Sequence, residues 1–558
     1  KDGLVNFFFS NKYLAFLFPF LREFYYWYRI ATYKIKIVDS IPLKRNISEK
    51  KDDAKLSILF VTGYGIGSHY YAVEPPLVNA LKAQGHTVNS LICGKAFSCC
   101  EFNADCGANS SNTPLSHRRG ITSKARSRFG TSCVNNVTNQ HIKDGIRTIS
   151  LKQYDDQLIF PTEEDIVKKL LSSTNNFRDI TYKGIAVGEE AFASILRVTF
   201  TGEVSDRFNN TSLIKKYLVN AIRATEYYSH AFEDLQPDRI CLIHGIYQIH
   251  GIATKVANKL NIPVVVIGGG GIRKNTIICC HGETYHHQLV NEDNKIWENT
   301  NLSKEMRIQV LNYAHAKRNN GAAVDYLNYH PSPVNNFDEI SKELGCDFKS
   351  YDRIITLYTN VLWDAQILYD TQLFDNLQDW LLSTIQIAKN NTKSLYLIRV
   401  HPAEVKTANP SRQPIIKEIT CLKNLPANVI LISPYSNIDS YKIAEISNVN
   451  VIYGTKMGLE IALMKRNLVV VGESFSKGKG YGYDPTSVDD YARSLYFNPS
   501  EKEINFRYER ALKYAHYLYF QRMLDLPSAE NKTDLKCFIN GVENLKPFIN
   551  KEYKFGKS

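Results

Sequence analysis

The sequence predicts an α/β protein with two Rossmann-like domains facing a central cleft. Three observations predict it. At 558 residues the chain is too long for one ordinary core. Short runs rich in Val, Ile and Leu alternate with helical stretches, the order that builds parallel sheets. That alternation occurs twice, once from about residue 57 and again from about residue 353, across an Asn- and Pro-rich stretch at 300–350.

In the first half "LSILFVT" reads as a strand, followed by a glycine turn and a helix near 75–84. "HTVNSLICG" is the next strand. Residues 103–140, rich in Ser, Asn, Gly and Arg, read as a long mobile insertion. Helical patterns at 163–174 and 210–233 precede the strand "DRICLIHG", a helix to Leu260 and the strand "IPVVVIGGGG". In the second half "RIITLYTN", "SLYLIRV", "NVILIS", "NVNVIYG" and "NLVVVGE" are strands. Helices are expected at 365–389, 438–446 and Met457–Met464, with a further one at 503–525. The expected organisation is an aromatic amphipathic segment at 1–35, an N-terminal domain at 54–340, a C-terminal domain at 350–500 and helices crossing back at 501–558.

Composition narrows the function classes. Hydrophobic residues make up 44% and charged residues 22%, as in a soluble globular chain. The net charge of +12 suits a phosphorylated substrate or an anionic lipid surface. With no Arg-rich tract and no nucleic-acid motif, nucleic acid is not an expected partner. The eleven cysteines include Cys93, Cys99, Cys100, Cys106 and Cys133, with no C-x-x-C among them. That spacing predicts neither a zinc site nor a disulfide framework, and a cytoplasmic location follows. The segment "LVNFFFSNKYLAFLFPFLREFYYWYRIA" is too interrupted by Asn6, Lys12, Arg22 and Glu23 for a spanning helix. It reads either as an interfacial helix at the membrane face or as a helix packed on its own domain.

Ligands of open α/β sheets bind beyond the carboxyl ends of the strands. In the second half those ends carry Arg399, His401-Pro402 and Glu404, then Ser433 and Ser436, then Thr455, Gly458 and Glu460. A hydroxyl and free N–H groups at Thr455 and Gly458 suit a phosphate, and Glu460 suits ribose hydroxyls. His401 can donate to a phosphate and, if protonated, assist a leaving group. Lys477 and Lys479, on a glycine frame that ends at Asp484-Pro485, suit a diphosphate or phosphosugar. A helix cap at Thr455 and a solvated loop for the lysines are the alternatives.

The stretch from "ISPYSNIDSYKIAEISNVNVIYGTKMGLEIALMKRNLVVVGESFSKGKGYGYDP", with "LYTNVLWDAQ" and "RKNTIICCHGETYHH", resembles bacterial capsule polysaccharide biosynthesis proteins. These are GT-B glycosyltransferases of the group that includes the capsule Kdo transferases. The resemblance extends from about residue 57 to 520 and is strongest at 395–485. The matching positions are His401-Pro402, Thr455 with Glu460, and Lys479-Gly480 through Asp484-Pro485. Lys456 stands where a small hydroxyl residue is common. The resemblance implies sugar transfer from a nucleotide-sugar donor to a glycan or lipid-linked acceptor, with the identity of both left open. The lack of any Asp-x-Asp in the chain agrees with a metal-independent transfer, and no cofactor is expected.

The acceptor and the base are then expected in the first domain. Its candidates are Gly65, Gly67, His69 and His244, with Arg273, Lys274 and His281. Glu74 is the first choice for the catalytic base, Glu283 the second, and Asp364 a third at the domain junction. His286 and His287 read either as site residues or as a structural pair. Gly63, Gly65 and Gly67 run G-x-G-x-G, not the G-x-G-x-x-G of a dinucleotide loop, and no acidic residue ends the next strand. That argues against a nucleotide-dependent oxidoreductase or epimerase. A non-catalytic component of a polysaccharide machine is the remaining alternative.

Overall fold

In a computed structural model, the structure describes residues 55–65, 73–102, 123–269, 273, 276–319, 333–334, 336–364, 373–406, 410–421 and 425–525. The predicted α/β class is what it has. Strands β1 (Ser57–Gly63), β2 (Thr87–Ile92), β3 (Arg147–Ser150), β4 (Arg239–Ile243), β5 (Val264–Gly269), β6 (Thr276–His281) and β12 (Leu524–Asp525) form one sheet, in the order β12-β6-β5-β4-β1-β2-β3. β1 runs parallel to β2 and β4, and β2 to β3, whereas β12 is antiparallel to β6. Strands β7 (Arg353–Tyr358), β8 (Ser394–Arg399), β9 (Val429–Ile432), β10 (Val449–Ile452) and β11 (Leu468–Val470) form a second sheet, β11-β10-β7-β8-β9, parallel throughout.

Each sheet starts at a central strand, steps outward on one side and then resumes on the other. The strand order therefore reverses between β1 and β4 in the first sheet and between β7 and β10 in the second. Such switch points open a crevice at the carboxyl edge of the sheet. The continuous apolar runs follow from burial on both faces. All six residues of β8 are buried, as are all four of β10.

By compactness the described chain divides into two units. The first takes its residues from Lys1–Thr199 and Val204–Val265, the second from Phe200–Glu203 and Val266–Asp525. The division falls inside β5. In the second unit Trp380 is fully buried, its ring beside Tyr453 at 5.5 Å and its indole N–H donating to the Tyr491 hydroxyl at 2.9 Å. In the first, the helix Leu213–Leu235 buries Tyr217, Tyr228 and Phe232.

The stretch expected to be a mobile insertion and the Asn- and Pro-rich stretch between the two alternations both contain helices. Residues Ser123–Asp144 form a helix, overlapping the 103–140 range read as an insertion. Its apolar stripe is thin, with Val137 buried against Ile92 and Val134 packed beside them, so polar composition hid the period. In the 300–350 stretch Lys304–Asn319 and Phe337–Leu344 are helices, the second capped by the Asn336 side chain on the N–H groups of Asp338 and Glu339. The 1–35 segment lies outside the described residues. No described helix is long and apolar enough to cross a membrane.

Candidate functional site

At the carboxyl edge of the second sheet, β7 leads to Thr359 and on to Asp364, β8 to His401, and β10 to Thr455 and Lys456. The backbone N–H of His401 donates to the Thr359 hydroxyl at 3.1 Å, tying the ends of β7 and β8 together. The His401 Nδ1 accepts the Ala403 N–H at 3.0 Å, which leaves the ring proton on Nε2. Burial, reinforced by the Lys456 and Arg399 cations, pulls His401 down to about 4, with Asp364 opposing. It is thus a neutral donor at physiological pH. Of the two roles expected of His401, donation to a phosphate suits the neutral ring, whereas help to a leaving group needs the protonated one.

His286, on the helix Tyr285–Asn291, joins the same cluster. Burial lowers its pKa, and the Asp364 carboxylate works against that shift. Asp364 is exposed and stands within electrostatic reach of both His286 and His401. Glu283, just before the helix, is raised by burial and countered by His287. The second unit therefore brings together Asp364, His401, Lys456, His286 and, nearby, His287 with Glu283. Sequence reading had placed Glu283 and its histidines with the first half.

Several residues expected to meet a donor are occupied by the fold. The buried Arg399 guanidinium donates to the carbonyls of Ser433, Ser436 and Ile438 at 2.9, 3.2 and 3.3 Å, so it shapes the turn after β9. In that turn the Ser433 hydroxyl accepts from Tyr435 N–H, and the Ser436 hydroxyl donates to Glu343 at 2.6 Å. Glu404 is fully buried and both its oxygens accept the Ile415 N–H at 3.1 Å; burial pushes it up to about 8. Glu460 is held by Lys317 at 2.5 Å and by the Tyr441 hydroxyl at 2.6 Å.

Thr455 accepts a long contact, 3.4 Å, from Met457 N–H ahead of the helix Met457–Leu463. Two turns make a weak dipole, so that helix end adds little to phosphate binding. Gly458 is a packing glycine: a Cβ there would come 2.4 Å from Ile452 and 2.8 Å from the Ser476 hydroxyl. In the glycine loop, Lys477 donates to the Val470 carbonyl at 3.3 Å and lies 3.9 Å from Asp484, which also accepts Gly478 N–H at 3.2 Å. Burial lowers Lys477 and raises Asp484. Lys479 is 1% exposed, its ammonium on the carbonyls of Val290 and Glu292.

The remaining candidates are scattered. Glu74 opens the helix Glu74–Ala83 but is 4% exposed and accepts from the Thr62 hydroxyl at 2.9 Å. Burial pushes it up to about 8, which leaves it protonated at neutral pH, the wrong state for a base. Gly65 N–H donates to the Cys133 sulfur at 3.1 Å, and the backbone of Cys133 leaves no room for a Cβ. His244 directly follows β4 with φ +62°, a left-handed conformation rare outside glycine, at the switch point of the first sheet. Arg273 pairs with Asp525 at 2.5 Å, and His281 ends β6. Gly67, His69 and Lys274 lie outside the described residues.

Sequence reasoning missed Lys317, Glu292 and Arg522. The buried Arg522 guanidinium meets the Glu292 carboxylate at 2.6 Å and the Cys279 carbonyl at 2.9 Å. No local spacing announces pairs so far apart in the chain. Among the described residues no group of three His, Cys, Asp or Glu could hold a metal ion.

No protein-family model and no curated protein matches the chain. Solved structures similar to it include the β-Kdo 2,4 transferase of KpsC from Thermosulfurimonas dismutans, at 13% identity over 49% of this chain and 78% of that one, TM-score 0.34. UDP-GlcNAc 2-epimerase from Neisseria meningitidis matches at 10% identity over 82% and 95%, TM-score 0.27. A glycosyltransferase from Rickettsia africae matches at 11% over 89% and 99%, TM-score 0.28. At TM-scores this low the likenesses carry no argument of their own.

Proposed function

We propose that the chain is a GT-B glycosyltransferase that moves a sugar from a nucleotide-activated donor to a glycan or lipid-linked acceptor in capsule or surface polysaccharide assembly. The observation that carries this reading is the convergence of Asp364, His401 and Lys456 from three strand ends at the switch point of the second sheet. The Lys456 ammonium and the His401 Nε2–H are donors suited to the phosphate oxygens of a leaving nucleotide, where charge grows during transfer. The Thr455 hydroxyl is a further donor to the same oxygens.

Asp364 is the group suited to take the acceptor proton. It is an exposed carboxylate within electrostatic reach of His401 and His286, whereas Glu74 is buried. In the step, the acceptor hydroxyl gives its proton to Asp364 and its oxygen bonds the anomeric carbon. The bond from that carbon to the phosphate oxygen breaks, and its electron pair leaves with the nucleotide. These groups supply the electrostatics without a resident metal or cofactor. Peripheral contact at the cytoplasmic face of the membrane, through residues 1–35, would bring a lipid-linked acceptor within reach. The test is a thermal-shift screen with CMP, UDP, GDP and their sugars, since a bound donor stabilises the native state. Stabilisation by one nucleotide series is expected; none from any of them would overturn the reading.

A further inference from the structure

We propose that Lys479, in the glycine loop, is a positioning residue that holds the helix bearing His286 at the site on the carboxyl edge of the second sheet. The proposal rests on the site assignment made under the proposed function. Its ground is where the ammonium points. Lys479 Nζ donates to the carbonyls of Val290 at 3.0 Å and Glu292 at 3.1 Å, the last carbonyls of the helix Tyr285–Asn291 and the residue just beyond it. A cation at a helix C-terminus satisfies carbonyls that the helix cannot.

The grip is reciprocal and multiple. Asn294 returns a hydrogen bond to the Gly478 carbonyl at 2.8 Å, and Arg510 Nε holds the Lys479 carbonyl at 3.0 Å. Gly480, with φ +73°, admits that arginine, since a Cβ would stand 2.7 Å from its Nε. Arg522 binds Glu292 at 2.6 Å and the Gln288 side chain at 3.2 Å, and Tyr517 donates to Glu292 at 2.9 Å. At the other end of the helix, Tyr285 sits so close to Gly268 that a Cβ there would be 2.4 Å from the ring. The Tyr285 ring lies 4.0 Å from that of His286. Both ends of the helix are thus fixed.

This geometry leaves the lysine no role as a phosphate clamp without abandoning two part-buried carbonyls. Its charge persists at neutral pH because Glu292, Asp484 and Asp293 oppose the burial that draws it down to about 8.

The experiment uses the full chain with Lys479→Met and Lys479→Arg. Two quantities are read: the His286 ring titration by NMR, assigned by its loss in His286→Asn, and calorimetric affinity for nucleoside mono- and diphosphates. Lys479→Met should move the His286 midpoint by about half a pH unit or more, against its neighbours Asp364 and His287. It should leave nucleotide affinity within about two-fold, and Lys479→Arg should restore the midpoint. An unmoved His286 overturns the proposal. So does a loss of nucleotide affinity of about ten-fold or more, which would make the lysine a phosphate ligand. If the wild-type chain binds no nucleotide, the function fails while the titration still decides the positioning role. Should Lys479→Met fail to fold, Asn294→Ala loosens the same grip, and the same midpoint shift is expected.

Discussion

Glu74, buried in the first unit, responds to pH in a way its sequence context does not announce. Glu74 changes from about 4.5 in an exposed chain to about 8 where it is buried against Thr62. A carboxyl with a raised folded pKa contributes stability that is complete below the lower value. That contribution is lost as pH rises through the upper one. Glu74→Gln removes the titrating group and keeps the hydrogen-bonding shape. Its melting temperature, followed from about pH 5 to about pH 9, should fall less steeply than the wild type's. Glu101 and Glu404 titrate through the same window and retain part of the slope. A wild-type slope in Glu74→Gln would contradict the buried assignment. Lys317→Met leaves the Glu460 carboxylate without its cation at a site 9% exposed. Breaking a buried pair costs about 3–5 kcal/mol, measurable by denaturant unfolding. Neither partner was legible in sequence as half of a pair: Glu460 read as a ribose acceptor, and Lys317 read as nothing.

At the scale of elements, the strands were the most legible part. Runs such as "SLYLIR" and "RIITLY" are mostly apolar because both faces are covered, and their ends marked where polar residues gather. Which of those polar residues face the crevice was not legible. Strand-end position does not reveal whether a guanidinium turns toward solvent or, like Arg399, back onto its own turn. The helix Ser123–Asp144 was missed because its sequence is largely polar, with Val137 buried against Ile92 and Val134 beside them. The helix Met457–Leu463 offers the sharpest packing test. Gly458→Ala places a methyl where Ile452 and Ser476 already stand, and overpacking of this kind costs about 1–3 kcal/mol. Chemical denaturation of the variant should show that loss, and an unchanged midpoint would mean the helix and the Ser476 turn are free to separate.

For the molecule as a whole, the repeated α/β alternation was enough to predict two Rossmann-like sheets, and both have the strand order with a switch point. What sequence could not supply is the meeting of Asp364, His401, Lys456 and His286 in one place, because they come from four separate connections. His401 was found through its His-Pro after a strand. Lys456 was noticed only as a departure, yet its cation, with that of Arg399, acts on His401. The proposed donor site requires those two residues to bind a nucleotide. Calorimetric titration of the full chain with CMP, UDP and GDP, set beside His401→Ala and Lys456→Met, tests it most directly. One nucleotide should bind the wild type, with affinity about ten-fold or more weaker in each variant, since each removes a donor to the phosphate. Binding of equal strength in all three proteins would contradict it.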